Sequence, residues 1–190
     1  MGVWPIRATL VQLLQLPLAC PVALERNGVV KLERFVPYLD SVLTEGGPIQ
    51  AIHDFDDYGL TEKNGGRVVE FTTGARIFLK YVGAYPDGGA ANERGQTGPV
   101  LSPVAAPNIT ISQGSIQVRE FIDYLIAALI NGGDPEIKKV SYTPPPTEHR
   151  PMAIRVDFYS TATTWLLMMH LLRPGQNPQK DNEYAHVERV

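Results

Sequence analysis

The sequence predicts an α+β fold: a tandem duplication of a helix plus antiparallel strand unit, packed as a two-layer sandwich with a pseudo-twofold arrangement. Three observations predict it. Phe35-Val36-Pro37-Tyr38-Leu39 matches Phe121-Ile122-Asp123-Tyr124-Leu125, and Leu43 then meets Leu129. Gly46-Gly47 meets Gly132-Gly133 and Pro48 meets Pro135, so each apolar stretch closes on residues able to supply the left-handed stop of a helix. Val69-Glu70-Phe71-Thr72 and Val156-Asp157-Phe158-Tyr159 alternate apolar and polar side chains, the pattern of a half-buried strand. Order and spacing of whole elements agree, which is the mark of an internal repeat.

Taken in order, residues 1–31 read as an N-terminal helix and lead-in, with an amphipathic helix from about Ile6 to Leu16 ended by Pro17. The apolar run Ala8 to Leu24 resembles a secretory leader in composition. However, only Arg7 charges its start, Gln12 and Gln15 interrupt it, and Pro17 and Pro21 bracket Leu18-Ala19-Cys20. Residues 32–86 form the first repeat. Phe35, Leu39, Val42 and Leu43 recur at helical spacing, Ile49 to Ile52 is a strand, and Gly74-Ala75 turns the chain into the returning strand Ile77-Phe78-Leu79.

Residues 87–114, opening in the turn-rich Asp87-Gly88-Gly89, are too rich in Gly, Ala and Pro for regular structure and read as a long loop or linker. Residues 115–175 repeat the unit. Phe121, Leu125, Ala128 and Leu129 line its helix, Ile137 to Val140 its first strand, and Thr161-Ala162 its turn, with Trp165-Leu166-Leu167 set against Ile77-Phe78-Leu79. Residues 176–190 are a polar C-terminal arm, placed to engage a neighbour. A unit of about 55 residues buries only a modest share of its surface, so two copies sharing one core are expected rather than two independent beads.

Composition narrows the function classes. The chain has 190 residues and a formal net charge of −3, with no basic cluster of the kind a phosphate backbone demands, which argues against nucleic-acid binding. The single cysteine, Cys20, excludes an internal disulfide and a thiolate metal cage within one chain. No apolar run reaches the length of a membrane span.

Chemistry-bearing residues are scattered. His53-Asp54-Phe55-Asp56-Asp57 offers carboxylates and an imidazole that could converge on a cation, but it lacks the glycine and distal glutamate of a calcium loop and reads better as a solvated turn. His53, His149, His170 and His186 show no HExxH pairing, and His170 sits in an apolar strand, where a structural role is favoured. Gly65-Gly66 and Gly88-Gly89 read as turns, since neither lies between a strand and a helix as a phosphate-binding loop would. The large side chains Phe158, Tyr159, Trp165, Met168 and Met169 suit a core or a surface buried by a neighbouring subunit. The expectation is a chain without catalytic, cofactor-binding or metal-binding residues: not an enzyme, and with no cofactor.

Function then lies in surfaces. A helix ending in Gly-Gly, a strand, and the hairpin Arg67-Val68-Val69-Glu70-Phe71-Thr72-Thr73-Gly74-Ala75-Arg76-Ile77-Phe78-Leu79, closing in Pro86-Asp87-Gly88, resembles small structural proteins of tailed, siphovirus-like phages of actinobacteria. The resemblance covers about a fifth of the chain. It implies a virion protein such as a ring-forming tail terminator, a head-tail junction component or a minor tail protein, assembled in the host cytoplasm. Its partners would be copies of itself and other virion proteins. Terminators are usually single-unit proteins, and the internal repeat departs from that pattern. The expected interface residues are Asn92, Arg94, Val100 and Leu101 in the long loop and Tyr184 in the tail. Two other classes remain open: a small-molecule or peptide-binding module with its pocket between the two repeats, and a hydrolase built on Asp54 to Asp57.

Overall fold

A computed structural model describes residues 32–44, 46–60, 65–84, 96–144, 151–179, 183–185 and 187–190. The helix expected at Ile6–Leu16, together with Asn92, Arg94, His149 and His186, lies outside them. The first half runs α1 (Leu32–Val42), β1 (Ile49–Asp54), a single 3-10 turn (Phe55–Tyr58), β2 (Gly66–Phe71) and β3 (Arg76–Ala84). Residues 96–110, without helix or strand, and a two-stranded hairpin, β4 (Ile111–Ser112) with β5 (Ser115–Ile116), precede the second half. That half runs α2 (Val118–Asn131), β6 (Ile137–Thr143), β7 (Ala153–Phe158) and β8 (Thr163–Leu172).

The protein is α+β, with one six-stranded antiparallel sheet in the order β1-β2-β3-β8-β7-β6. The two longest strands, β3 and β8, pair at its centre. Residues 69, 71, 77, 79 and 81 of the first half and 154, 156, 158, 166 and 168 of the second alternate along their strands and join a single core with both helices. Phe35 and Leu39 of α1, Leu43 just past its end, and Phe121, Leu125 and Leu129 of α2 are all buried, as their spacing requires. The halves interlock through aromatic edges: the Phe35 ring of α1 meets Phe158 of β7 at 5.9 Å, and the Phe121 ring of α2 meets Phe71 of β2 at 5.5 Å.

The helices differ in how they end. α2 stops at Gly132, followed by Gly133 in the left-handed region (φ 70). Gly132 also admits α1, since a Cβ there would lie 2.5 Å from the Tyr38 hydroxyl and from Val42 Cγ1. Tyr38 donates to the Leu129 carbonyl at 2.5 Å, joining the helices. The expected Gly46-Gly47 stop is corrected: α1 ends at Val42, and the two glycines instead form the tight turn before β1, where Gly46 and Ile49 exchange backbone hydrogen bonds of 2.9 and 3.0 Å. Pro37 sits inside α1, where it removes a backbone donor. Buried Phe35 and Leu39 on its apolar stripe, with Leu43 just past its end, hold that helix in place.

The two hairpin turns carry like backbone bonds, Phe71 N–H to Ala75 O and Phe158 N–H to Ala162 O. The hairpin β4–β5 straddles the expected boundary between the loop ending at 114 and the second repeat beginning at 115. Its two-residue turn, Gln113-Gly114, has positive φ at both positions (54 and 72), the conformation of a tight hairpin.

Candidate functional site

Residues 96–110 form a strap along α2. Pro99, Pro103 and Pro107 lack N–H groups and oppose helix formation, so side chains and scattered backbone bonds hold the segment down. Gly98 donates to the Pro135 carbonyl at 2.9 Å, and Tyr159 donates its hydroxyl to Pro99 O at 3.1 Å. The Asn131 amide accepts from Val104 N–H at 2.8 Å and donates to Val104 O at 2.9 Å, mimicking a strand partner. Thr110 N–H reaches the Glu120 carboxylate at 2.8 Å. Gly98 is required by close approach, because a Cβ would enter the Tyr159 ring at 2.2 Å.

The strap exposes apolar side chains among polar ones. Among the described residues the exposed large hydrophobic side chains are Val100, Val104 and Ile111, at 52%, 43% and 44% exposure, all on or just after the strap. Of the residues expected at an interface, Val100 stands out to solvent while Leu101 is half-buried against the core. Tyr184 lies far from both, half-buried against Phe55, Val68, Phe78, Met169 and Leu172 on the opposite face of the sheet, its N–H bonded to Met169 O at 2.6 Å. The chain beyond it returns to β5, where Val190 is buried and exchanges hydrogen bonds with Ile116. The described part of the tail is thus tied to its own chain.

A cleft of about 440 Å³ opens between the halves. Thr44, Gly46, Gly47, Pro48 and Ile49 form one wall, Pro107 to Ile109 of the strap another, and Tyr124 of α2 the third. Gly46 and Gly47 have positive φ (139 and 54), and among the described residues a Cβ on either would meet nothing within 4 Å.

The acidic segment after β1 is occupied with structural work. Asp54 pairs with Arg67, which also makes two hydrogen bonds of 2.6 and 2.8 Å to Asp40 of α1. These carboxylates hold the Arg67 guanidinium well above its usual range, hydrogen bonding to Asp40 being the main cause. The Asp57 side chain accepts from Asp54 N–H at 3.1 Å and so caps the 3-10 turn. Phe55, in the midst of these acids, is 2% exposed and forms the centre of the second core with Phe78. His53 contacts Glu70 at 3.2 Å, and His170 is buried edge-on to Phe78 at 5.3 Å. Among the described residues no group of three or more His, Cys, Asp or Glu side chains could hold a metal ion, and no helix is long and apolar enough to cross a membrane.

The apolar display on the strap was legible as a composition, Gly-Pro-Val-Leu-Ser-Pro-Val, but its anchoring was not. The anchors Asn131, Tyr159 and Glu120 are remote in sequence or unremarkable in type. Compared with known protein families, curated proteins and solved structures, the chain matches none.

Proposed function

We propose that this chain is a non-enzymatic structural and assembly protein of a tailed-phage virion, of the ring-forming tail terminator or head-tail junction kind. It would carry neither a cofactor nor a catalytic site, and would self-associate and contact other virion proteins. The observation that carries the assembly reading is the strap: an anchored segment that leaves Val100 and Val104 exposed, with Ile111 exposed just after it in β4. Exposed apolar side chains grouped on a fixed segment mark a contact surface. The sheet supports it too. With six antiparallel strands the outer strands β1 and β6 run oppositely, so a neighbouring copy can extend the sheet in the same alternating sense.

In this reading the chain is a duplicated unit with a pseudo-twofold axis, a fused pair doing the work of two subunits. Support comes from matching irregularities. β1 and β6 each carry a bulge just after their first residue, between Ile49 and Ala51 and between Ile137 and Lys139. Thr72 N–H bonds Pro48 O as Tyr159 N–H bonds Glu136 O, and the residue before each turn alanine has positive φ, Gly74 at 81 and Thr161 at 65. On this alignment Lys80 of β3 is the counterpart of Leu167 of β8, and those two residues pair with each other at the sheet centre, where a twofold axis would pass.

The cleft between the halves favours a second reading, a small-molecule or peptide-binding module. Light scattering coupled to size exclusion, over a wide concentration range, separates the two. One discrete multiple of the chain mass supports assembly; a monomer at every concentration, with or without virion components, removes the ring and moves the cleft to the front.

A further inference from the structure

The sheet ends in two edges that complement each other. Among the described residues no strand pairs with the outer edge of β1 or of β6. The alternation of hydrogen bonds fixes what each edge presents. Phe158 N–H bonds Ala162 O toward β8 and Tyr159 N–H bonds Glu136 O on the other side, so Asp157, Arg155 and Ala153 bond their partners Lys139, Ser141 and Thr143. Val140 and Tyr142 between them turn their N–H and C=O groups outward. In the first half Phe71 N–H bonds Ala75 O toward β3, so Glu70 and Val68 bond Ala51 and His53, and Ile52 turns its N–H and C=O outward.

The side chains match as well. Ile52 and Val140 are half-buried and packed at the margin of the main core, on the helix face of the sheet. β6 begins with exposed Lys138 and Lys139. β1 ends in Asp54, whose side chain stays 64% exposed although it pairs with Arg67, and exposed Asp56 and Asp57 of the 3-10 turn follow. Antiparallel pairing brings the start of one strand to the end of the other, so β6 against β1 sets lysines beside carboxylates. A β6 paired with a second β6 would set the same lysines beside uncharged Tyr142 and Thr143 instead.

We propose that β6 of one copy of this chain pairs antiparallel with β1 of the next, with Val140 opposite Ile52, Ser141 opposite Ala51 and Lys138 opposite Asp54. The even number of strands lets this joint continue the alternation with the helices of both copies on one face. The strap reaches the same edge: Gly98 bonds Pro135 O just ahead of β6, and Val100 lies 3.7 Å from the Cβ position of Gly133. A copy seated on β6 thus comes alongside Val100 too. The inference rests on the assembly reading and specifies its joint. A head-to-tail contact uses two different edges of each copy, so it propagates until a ring closes.

Two single-edge variants of the full chain test it. Val140→Pro removes an outward N–H from β6 and Ile52→Pro removes one from β1, while the inner ladders to β7 and β2 keep their donors. Light-scattering mass is read for each alone and for an equimolar mixture. The expected result is a monomer for either variant alone and a doubling of mass on mixing, because the mixture holds one intact joint and no second. Lys138→Glu/Lys139→Glu changes exposed side chains only, so it keeps the test open if a proline costs the fold, and it too is expected to lose the oligomeric mass. Variants that keep the mass of an oligomeric unaltered chain would overturn the joint and leave the assembly reading standing. A stable dimer of either variant alone, or a mixture that stays monomeric, would overturn the joint as well. An unaltered chain that is monomeric at every concentration would overturn both.

Discussion

The two halves share strand order, bulges and turns, yet they are finished differently. The second half carries the strap on its helix side, while its far face exposes Arg155 and leaves Trp165 half-covered beneath that guanidinium. The first half has a cleft on its helix side, while on its far face Phe55 of the 3-10 turn covers Val68 and Phe78, joined by Met169 and Leu172 of β8 from the second half. The difference teaches that an identical backbone register leaves the outer surfaces free to diverge. What the register fixes is the shared core. What each half buries beyond it depends on a few side chains: Val68 and Phe78 in one, Arg155 and Trp165 at the corresponding positions of the other.

The largest expected effects test whether the interlock is symmetric. Phe71→Ala and Phe158→Ala each remove one of the two reciprocal aromatic contacts, and each should cost about 3–5 kcal/mol in denaturant unfolding. Values differing by more than about 2 kcal/mol, beyond the usual site-to-site spread of such truncations, would break the equivalence.

The far faces come next. A Cβ at Gly66 would lie 2.3 Å from the Phe55 ring and 2.5 Å from the Leu79 carbonyl, whereas the corresponding residue of β7 is Ala153, buried without such a lid. Gly66→Ala should cost about 3 kcal/mol by overpacking, and Ala153→Gly only about 1 kcal/mol. Similar costs for both would show that the lid does not set the residue at this position.

A smaller effect has the opposite sign. Thr161 holds φ 65 where the other hairpin has Gly74 at 81. Thr161→Gly should therefore raise stability by about 1 kcal/mol, and Gly74→Thr should lower it by at least as much. A loss of stability in Thr161→Gly would mean that the hairpin values the side chain more than the relief of strain.

A pH-dependent effect appears at high pH. Burial, with repulsion from Asp134, pushes the Tyr38 hydroxyl up to about 12 from its ordinary 10.0. Because the folded form holds this proton more tightly, its stabilisation is complete below pH 10 and is lost as pH rises toward 12. Tyr38→Phe should flatten that part of the stability profile, and an unchanged slope would show that other groups cause it.

Much of this architecture was legible in the sequence. Period-two alternation marked β2 and β7, and the Phe–Tyr–Leu spacing marked both helices, because each of those segments buries one regular face. The failures have physical reasons. Gly46-Gly47 resembles a helix stop, but α1 ends a turn earlier and the glycines serve the approach to β1. Phe55 was lost among aspartates, although Asp54 and Asp57 bracket it because they pair with Arg67 and cap the turn while its ring points inward. At the candidate surface, Val100 was readable from its apolar, proline-flanked setting, while the Asn131 clasp depends on contacts that no local pattern encodes.

Assembly through the strap is most directly tested by the light-scattering mass of Val100→Asp/Val104→Asp beside the unaltered chain, over the same concentrations. Both side chains are exposed, so the fold and its unfolding midpoint should be retained. The account predicts one discrete oligomer for the unaltered chain and a monomer for the double variant. Identical masses for the two proteins would contradict it.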